Sequence, residues 1–113
     1  MAKVEIVRSL FEEIEKKFKE ESYEIIELMK SLEENPHKGK PLGNIGGVLI
    51  KEIRYKNFRF YFITDGHKLK FLNEESLANL LIIFIKMSDK KSQQKTIDEI
   101  RKILITLGPK GFE

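Results

Sequence analysis

The spacing of hydrophobic residues changes abruptly near Asn35-Pro36, and this change limits the folds open to the chain. Before it, apolar residues recur every three or four positions, which indicates amphipathic helices. After it, apolar and polar residues alternate through residues 48–64, which indicates β-strands. A helical spacing returns over residues 96–107. The sequence therefore predicts an α+β domain.

The patterns predict the element order β-α-α-β-β-β-α in one domain that covers residues 1–113. A helix is expected to begin near Ser9, because Ser9 and Glu12 fit a capping box, and a second helix should end before Pro36. Later segments are predicted as a loop, an alternating strand and a strand buried on both faces, namely residues 37–47, 67–72 and 80–85. The expected fold is a small antiparallel sheet with two N-terminal helices and a C-terminal helix.

Composition excludes several classes of protein. The chain has no cysteine, which rules out disulfides, a thiolate nucleophile and a Cys-ligated zinc site. Only His37 and His67 could serve as imidazole ligands, and no nucleotide-binding motif is present, so we expect no metal and no cofactor. The start of the chain lacks the apolar stretch of a signal peptide, and the longest apolar run, residues 80–85, is too short to span a bilayer. We expect a cytoplasmic protein without membrane contact.

Charge is distributed unevenly along the chain. The formal net charge is +3, but residues 1–35 carry a balance of −4 and residues 36–113 a balance of +7. An acidic helical half joined to a basic half predicts that one face meets a polyanion. An unevenly charged, solvated surface is the alternative.

Two arginines are expected to face each other across a hairpin. If Lys56-Asn57 is a two-residue turn, Arg54 lies opposite Arg59 on a half-exposed face of the sheet. Like charges in this position weaken a sheet by roughly 0.2–1 kcal/mol, so an anion held between them would explain the pair. Neutralisation of both guanidiniums by Glu52 and the acidic helices is the alternative.

A second group of cations follows the buried strand and consists of Lys86, Lys90 and Lys91. Lysine and arginine bind phosphate, and an aromatic ring such as that of Tyr61 stacks on nucleic-acid bases. These residues therefore predict contacts with RNA. A solvated lysine loop with no binding role is the alternative.

Three segments carry a resemblance to a known family in the expected order. The first is LEENPHKGKPL at residues 32–42, and the second is KEIRYKNFRFYF at residues 51–62, similar to the hairpin pattern E-L-R…Y-R-x-x-Y. The third is FIKMSDKKSQQKT at residues 84–96, similar to F-x-K-K-s-q-k-t-p. Together they resemble the RelE/ParE superfamily of toxins from toxin–antitoxin modules, and the HigB-like branch in particular.

This resemblance implies a toxin with a cognate antitoxin as partner. RelE and HigB-like members cleave mRNA in the ribosomal A site without a metal, whereas ParE-like members inhibit DNA gyrase. By position, the resemblance assigns Arg54, Arg59 and Lys90 to mRNA cleavage, and it places Lys86 and Lys91 in the segment that binds RNA. The favoured expectation is therefore an mRNA endonuclease that acts on the ribosome.

The chain also departs from the RelE pattern. RelE has lysines where this sequence has Ile50 and Glu52, and it has a tyrosine near the C-terminal helix, whereas no tyrosine follows Tyr61 here. The candidates for general acid and base are Glu52, Tyr61 and His67. A ParE-like, non-catalytic gyrase inhibitor and a degenerate antitoxin-binding relative therefore stay open. If RNA is cleaved, loss of Arg59 is expected to reduce cleavage most and to leave a folded protein.

Overall fold

Five strands form one mixed sheet in the computed structural model, which describes residues 1–112. In chain order the strands are β1 (Lys3–Ile6), β2 (Lys40–Ile45), β3 (Val48–Tyr55), β4 (Phe58–Asp65) and β5 (Leu81–Asp89). Their order across the sheet is β1-β5-β4-β3-β2. The α+β class is confirmed. The expectation of a purely antiparallel sheet was wrong, because β1 pairs with β5 in parallel while the other neighbours are antiparallel.

The helices are α1 (Arg8–Phe18), α2 (Ser22–Lys30), α3 (Gly66–Phe71), α4 (Glu74–Leu77) and α5 (Gln93–Leu107). The predicted capping box is wrong, because α1 begins at Arg8 with Val7 as its N-cap and has no capping hydrogen bond from a side chain. Among residues 1–112, no helix combines the length and hydrophobicity that a membrane span requires.

Helices cover both faces of the sheet. On one face, the ring of Phe18 in α1 packs at a centroid distance of 5.0 Å from Phe58 and 6.2 Å from Phe60. On the other face, α5 reaches β2 through Arg101, whose Nη2 donates a hydrogen bond to the carbonyl oxygen of Leu42 at 3.0 Å. Consecutive residues of a central strand are consequently buried on opposite faces, as Phe60 and Tyr61 of β4 show.

Two predicted local structures were wrong. The predicted loop 37–47 contains β2, an edge strand that tolerates Pro41 because an edge position needs fewer ladder hydrogen bonds. The predicted strand 67–72 is instead helix α3. Asp65 caps this helix by accepting hydrogen bonds from the backbone N–H groups of His67 and Lys68, each at 3.0 Å.

Candidate nucleic-acid interface

The hairpin forms with the predicted register. Strands β3 and β4 are joined by Lys56 and Asn57, and Arg54 lies directly opposite Arg59. Lys56 adopts a positive φ of 53°, which suits a tight two-residue turn. The predicted pair of facing arginines is therefore confirmed, and it lies on the same side of the sheet as α5.

A buried carboxylate lies between the two guanidiniums. Oε2 of Glu52 is 3.6 Å from Nε of Arg54 and 4.0 Å from Nε of Arg59, and only 1% of the Glu52 side chain is exposed. Its other oxygen, Oε1, accepts a hydrogen bond from Nε2 of Gln93 at 2.9 Å, in the first turn of α5. Within residues 1–112, Oε2 of Glu52 and Nε of Arg59 are buried without a hydrogen-bond partner.

Glu52 thus supplies the neutralisation that was the alternative to a bound anion. The acidic helices do not contribute to this cluster, because they meet the hairpin at its tip. There, Oη of Tyr55 lies 2.9 Å from a carboxylate oxygen of Glu21, and Nζ of Lys56 donates to the same oxygen. These two contacts, that of Lys56 above all, lower the pKa of Glu21.

The two arginines differ strongly in exposure. The side chain of Arg54 is 59% exposed, whereas that of Arg59 is 6% exposed. The expectation that Arg59 is half-exposed was wrong, because this face of the sheet is covered by α5 and the turn before it. Arg54 is therefore the guanidinium of the pair that solvent, or a phosphate group, can reach.

Tyr61 is fully buried, so the expectation that its ring stacks on a base was wrong. Its hydroxyl lies 2.8 Å from Oγ of Ser88, and Ser88 in turn donates to the carbonyl oxygen of Asp89. Burial raises the pKa of Tyr61 above its ordinary value. Tyr61 belongs to the packed interface between the sheet and α5.

The predicted lysines lie close to the hairpin. Lys86 is the cross-strand neighbour of Tyr61 and is partly buried. Lys90 and Lys91 are exposed in the turn between β5 and α5, directly after Asp89, which pairs with Phe58. The first turn of α5 contains no acidic residue. Lys90 and Lys91 precede α5, and the carboxylate of Asp89 accepts a hydrogen bond at 2.8 Å from the backbone N–H of Ser92 at the start of this helix.

Sequence reasoning missed two further cations and one amide at this site. Lys40 in β2 is the cross-strand neighbour of Glu52, and Lys38 precedes it on the same segment. Both were overlooked because residues 37–47 were predicted to be a loop with no defined direction. Gln93 was overlooked because its role depends on where α5 lies against the sheet, which no local pattern reveals.

The candidates for general acid and base are poorly placed for proton transfer. Glu52 and Tyr61 are buried. His67 lies beyond Asp65, at the opposite end of β4 from Arg59, about 20 Å away by the rise of a β-strand. Among residues 1–112, no group of three or more metal-ligating side chains is arranged to hold a metal ion.

Comparisons of the chain with protein-family models, curated proteins and solved structures found no match. The geometry of the site and the resemblance of the three segments are therefore the basis for assigning a function. That geometry is a set of exposed cations on and beside a hairpin that buries the carboxylate of Glu52.

Proposed function

We propose that the protein is the toxin of a toxin–antitoxin pair and acts in the cytoplasm as a ribosome-dependent mRNA endonuclease. Its partners are a cognate antitoxin, which keeps it inactive, and the ribosome with its mRNA. The resemblance to RelE and HigB-like toxins suggests the activity. The exposed cations Arg54, Lys90 and Lys91 offer a surface that suits a phosphodiester substrate.

One observation supports this proposal above the others. The three segments that carry the resemblance are separate in the sequence and adjacent in the fold. Residues 51–62 form the hairpin, residues 32–42 contribute Lys38 and Lys40 beside it, and residues 84–96 bring Lys90 and Lys91 to its end. A surface built by three separate segments, all contributing cations, is suited to binding a polyanion.

The proposed reaction needs cations more than any other group. When a ribose 2′-hydroxyl attacks the adjacent phosphorus, negative charge grows on the phosphoryl oxygens, and fixed positive charges stabilise it. Arg54 is the exposed guanidinium for this role, and Lys90 and Lys91 are exposed cations in the turn that follows β5. The buried carboxylate of Glu52 lies 3.6 Å from Nε of Arg54 and attracts this guanidinium toward the sheet. Proton transfer would be left to groups of the ribosome or RNA.

A second candidate is a ParE-like inhibitor that binds gyrase without catalysis. The specific observation that favours it is the burial of Glu52 and Tyr61, together with the exposed position of His67 at the far end of β4 from Arg59, which leaves no acid or base from the predicted set beside the arginines. A degenerate relative that only binds antitoxin would fit the same observation. The three possibilities predict different effects in cells.

Expression of the protein in a bacterial host, followed by primer extension on cellular mRNA, tests the proposal. Codon-phased cuts support mRNA cleavage, whereas intact mRNA with arrested DNA replication supports gyrase inhibition, and normal growth supports the degenerate relative. We expect Arg54→Ala to reduce cleavage on programmed ribosomes by about 10²–10³-fold. Lys3→Ala, at the opposite edge of the sheet, is the matched control. If Arg54→Ala cuts at the wild-type rate, the assigned site is wrong.

A further inference from the structure

The segment before β2 is held to the sheet by an unusual anchor. Lys51 is buried, with 3% of its surface exposed, and its Nζ donates a hydrogen bond to the carbonyl oxygen of His37 at 2.9 Å. The same ammonium group lies 5.8 Å from the centroid of the Phe62 ring. Its position on β3 turns it away from Arg54 and toward the opposite face. The buried ammonium group of Lys51 thus holds the backbone at His37, in the segment before β2, against the sheet.

Gly39 provides a second anchor. It adopts a φ of +106°, and a Cβ atom at this position would lie 2.8 Å from Cζ of Phe62 and 3.1 Å from the carbonyl oxygen of Glu52. The backbone therefore approaches β3 more closely than any residue with a side chain allows. Lys38 and Lys40, on either side of Gly39, consequently project from a segment whose position is fixed.

These lysines line a cleft beside the hairpin. The cleft has a volume of about 290 Å³ and is bordered by Lys38, Lys40, Arg54 and Glu52, with Leu28 and Ile53 as its apolar lining. Within residues 1–112, neither lysine takes part in an ion pair, although Lys40 is the cross-strand neighbour of Glu52. The carboxylate of Glu52 is directed to the arginines and Gln93 instead. Two exposed lysines without an ion-pair partner among residues 1–112 therefore border the same opening.

We propose that this cleft, named here the β2 cleft, binds a backbone phosphate of single-stranded RNA adjacent to the phosphate at Arg54. The inference rests on the proposed function and deepens it, because it defines the path of the strand across the β2 edge of the sheet. Lys38 and Lys40 neutralise the phosphate charge, and Leu28 and Ile53 offer an apolar surface to the neighbouring ribose or base. Such contacts recognise a phosphate backbone and not a particular base sequence.

Binding of a fluorescent oligouridylate, measured over a range of salt concentrations, tests the β2 cleft without requiring cleavage. Loss of one phosphate contact on a single strand decreases the magnitude of the negative slope of log K against log salt by about 0.7. We expect this decrease for Lys40→Ala and for Lys38→Ala. Lys3→Ala, four strands away on β1, should leave the slope unchanged. Thermal melting of each variant checks that it is folded, and both lysines are exposed, so folding should be retained.

The outcomes separate this inference from the proposed function. Wild-type slopes for both lysine variants, together with weakened binding by Arg54→Ala, would overturn the β2 cleft and leave the proposed function standing. Reduced slopes with no mRNA cuts in cells would support the cleft and overturn the endonuclease. Equal effects of Lys3→Ala and Lys40→Ala would show diffuse electrostatic binding and overturn the cleft. No measurable binding by the wild-type protein would also overturn it.

Discussion

At the scale of single residues, Arg54 and Arg59 face each other but differ in solvent exposure, because α5 and the turn before it cover only Arg59. Their pairing could be predicted from the sequence, since Lys56-Asn57 between two alternating runs fixes the register of the hairpin. Their burial could not, because it depends on α5, whose first turn brings Gln93 to Glu52 from 41 residues away. Local patterns carry no information about such a contact.

The burial of Arg59 changes the expected result of removing it. In Arg59→Ala, the carboxylate of Glu52 loses one of its two cationic neighbours while it stays buried. Breaking a buried ion pair from one side typically costs 3–5 kcal/mol, and because Arg54 and Gln93 remain near Glu52, we expect a loss of about 3 kcal/mol in the free energy of unfolding. Urea denaturation measures it.

The matched control for Arg59→Ala is the double variant Arg59→Met/Glu52→Gln. It removes both buried charges and retains an acceptor for Gln93, so most of the lost stability should return. A cost below about 1 kcal/mol for Arg59→Ala alone, within the usual range of surface substitutions, would show that the ion pair does not hold this face together. Cleavage assays on Arg59→Ala are meaningful only at temperatures where the variant is folded.

At the scale of elements, the sequence correctly predicted the helices and strands with strong hydrophobic periodicity. The prediction failed for short elements that are rich in glycine and proline or too short to show a period. Helices α1 and α2 and the β3–β4 hairpin were predicted because their apolar residues repeat at the helical or the strand period. Strand β2 was missed because Gly39, Pro41 and Gly43 indicate a loop, yet these residues suit an irregular edge strand. Helix α3 was mistaken for a strand because six residues are too few to separate the two periods.

The packing of α5 on the sheet makes a prediction for Tyr61. Replacement by Phe keeps the ring in the core and removes the hydroxyl next to Ser88. Because Ser88 retains its hydrogen bond to the carbonyl oxygen of Asp89, we expect Tyr61→Phe to lower the free energy of unfolding by about 1 kcal/mol. RNA binding should equal that of the wild type. A large loss of RNA affinity in a variant with wild-type stability would place the tyrosine at the interface and contradict its burial.

At the scale of the whole molecule, a sheet covered on both faces places charged residues of β3 and β4 in the interior. Lys51 on one face and Glu52 with Arg59 on the other are each buried. The composition did not indicate these buried charges, because a chain with 35% charged residues can still keep most of them on the surface. The sequence predicts which residues share a face, but the burial of that face follows only from how the helices pack.

The burial of Lys51 should affect how the free energy of unfolding of the whole molecule depends on pH. Burial lowers the pKa of Lys51 in the folded state, whereas the unfolded chain keeps the ordinary value. Between these two pKa values the unfolded chain binds more protons, so the free energy of unfolding contributed by Lys51 rises with pH through that window. Below it, the lysine is charged in both states and the full cost of burying the charge is present.

Lys51→Met removes this cost while it fills nearly the same volume. We expect the variant to gain about 1 kcal/mol in the free energy of unfolding at neutral pH, because burying an ammonium group with a single hydrogen bond costs more than that bond returns. The gain should shrink as the pH rises from the lowered pKa of folded Lys51 toward its ordinary value of 10.5, because the folded wild-type lysine loses its proton over this window. Urea denaturation at several pH values measures both effects, with Lys3→Met as the exposed control. A loss of stability that is the same at every pH would show that the hydrogen bond to His37 outweighs the buried charge.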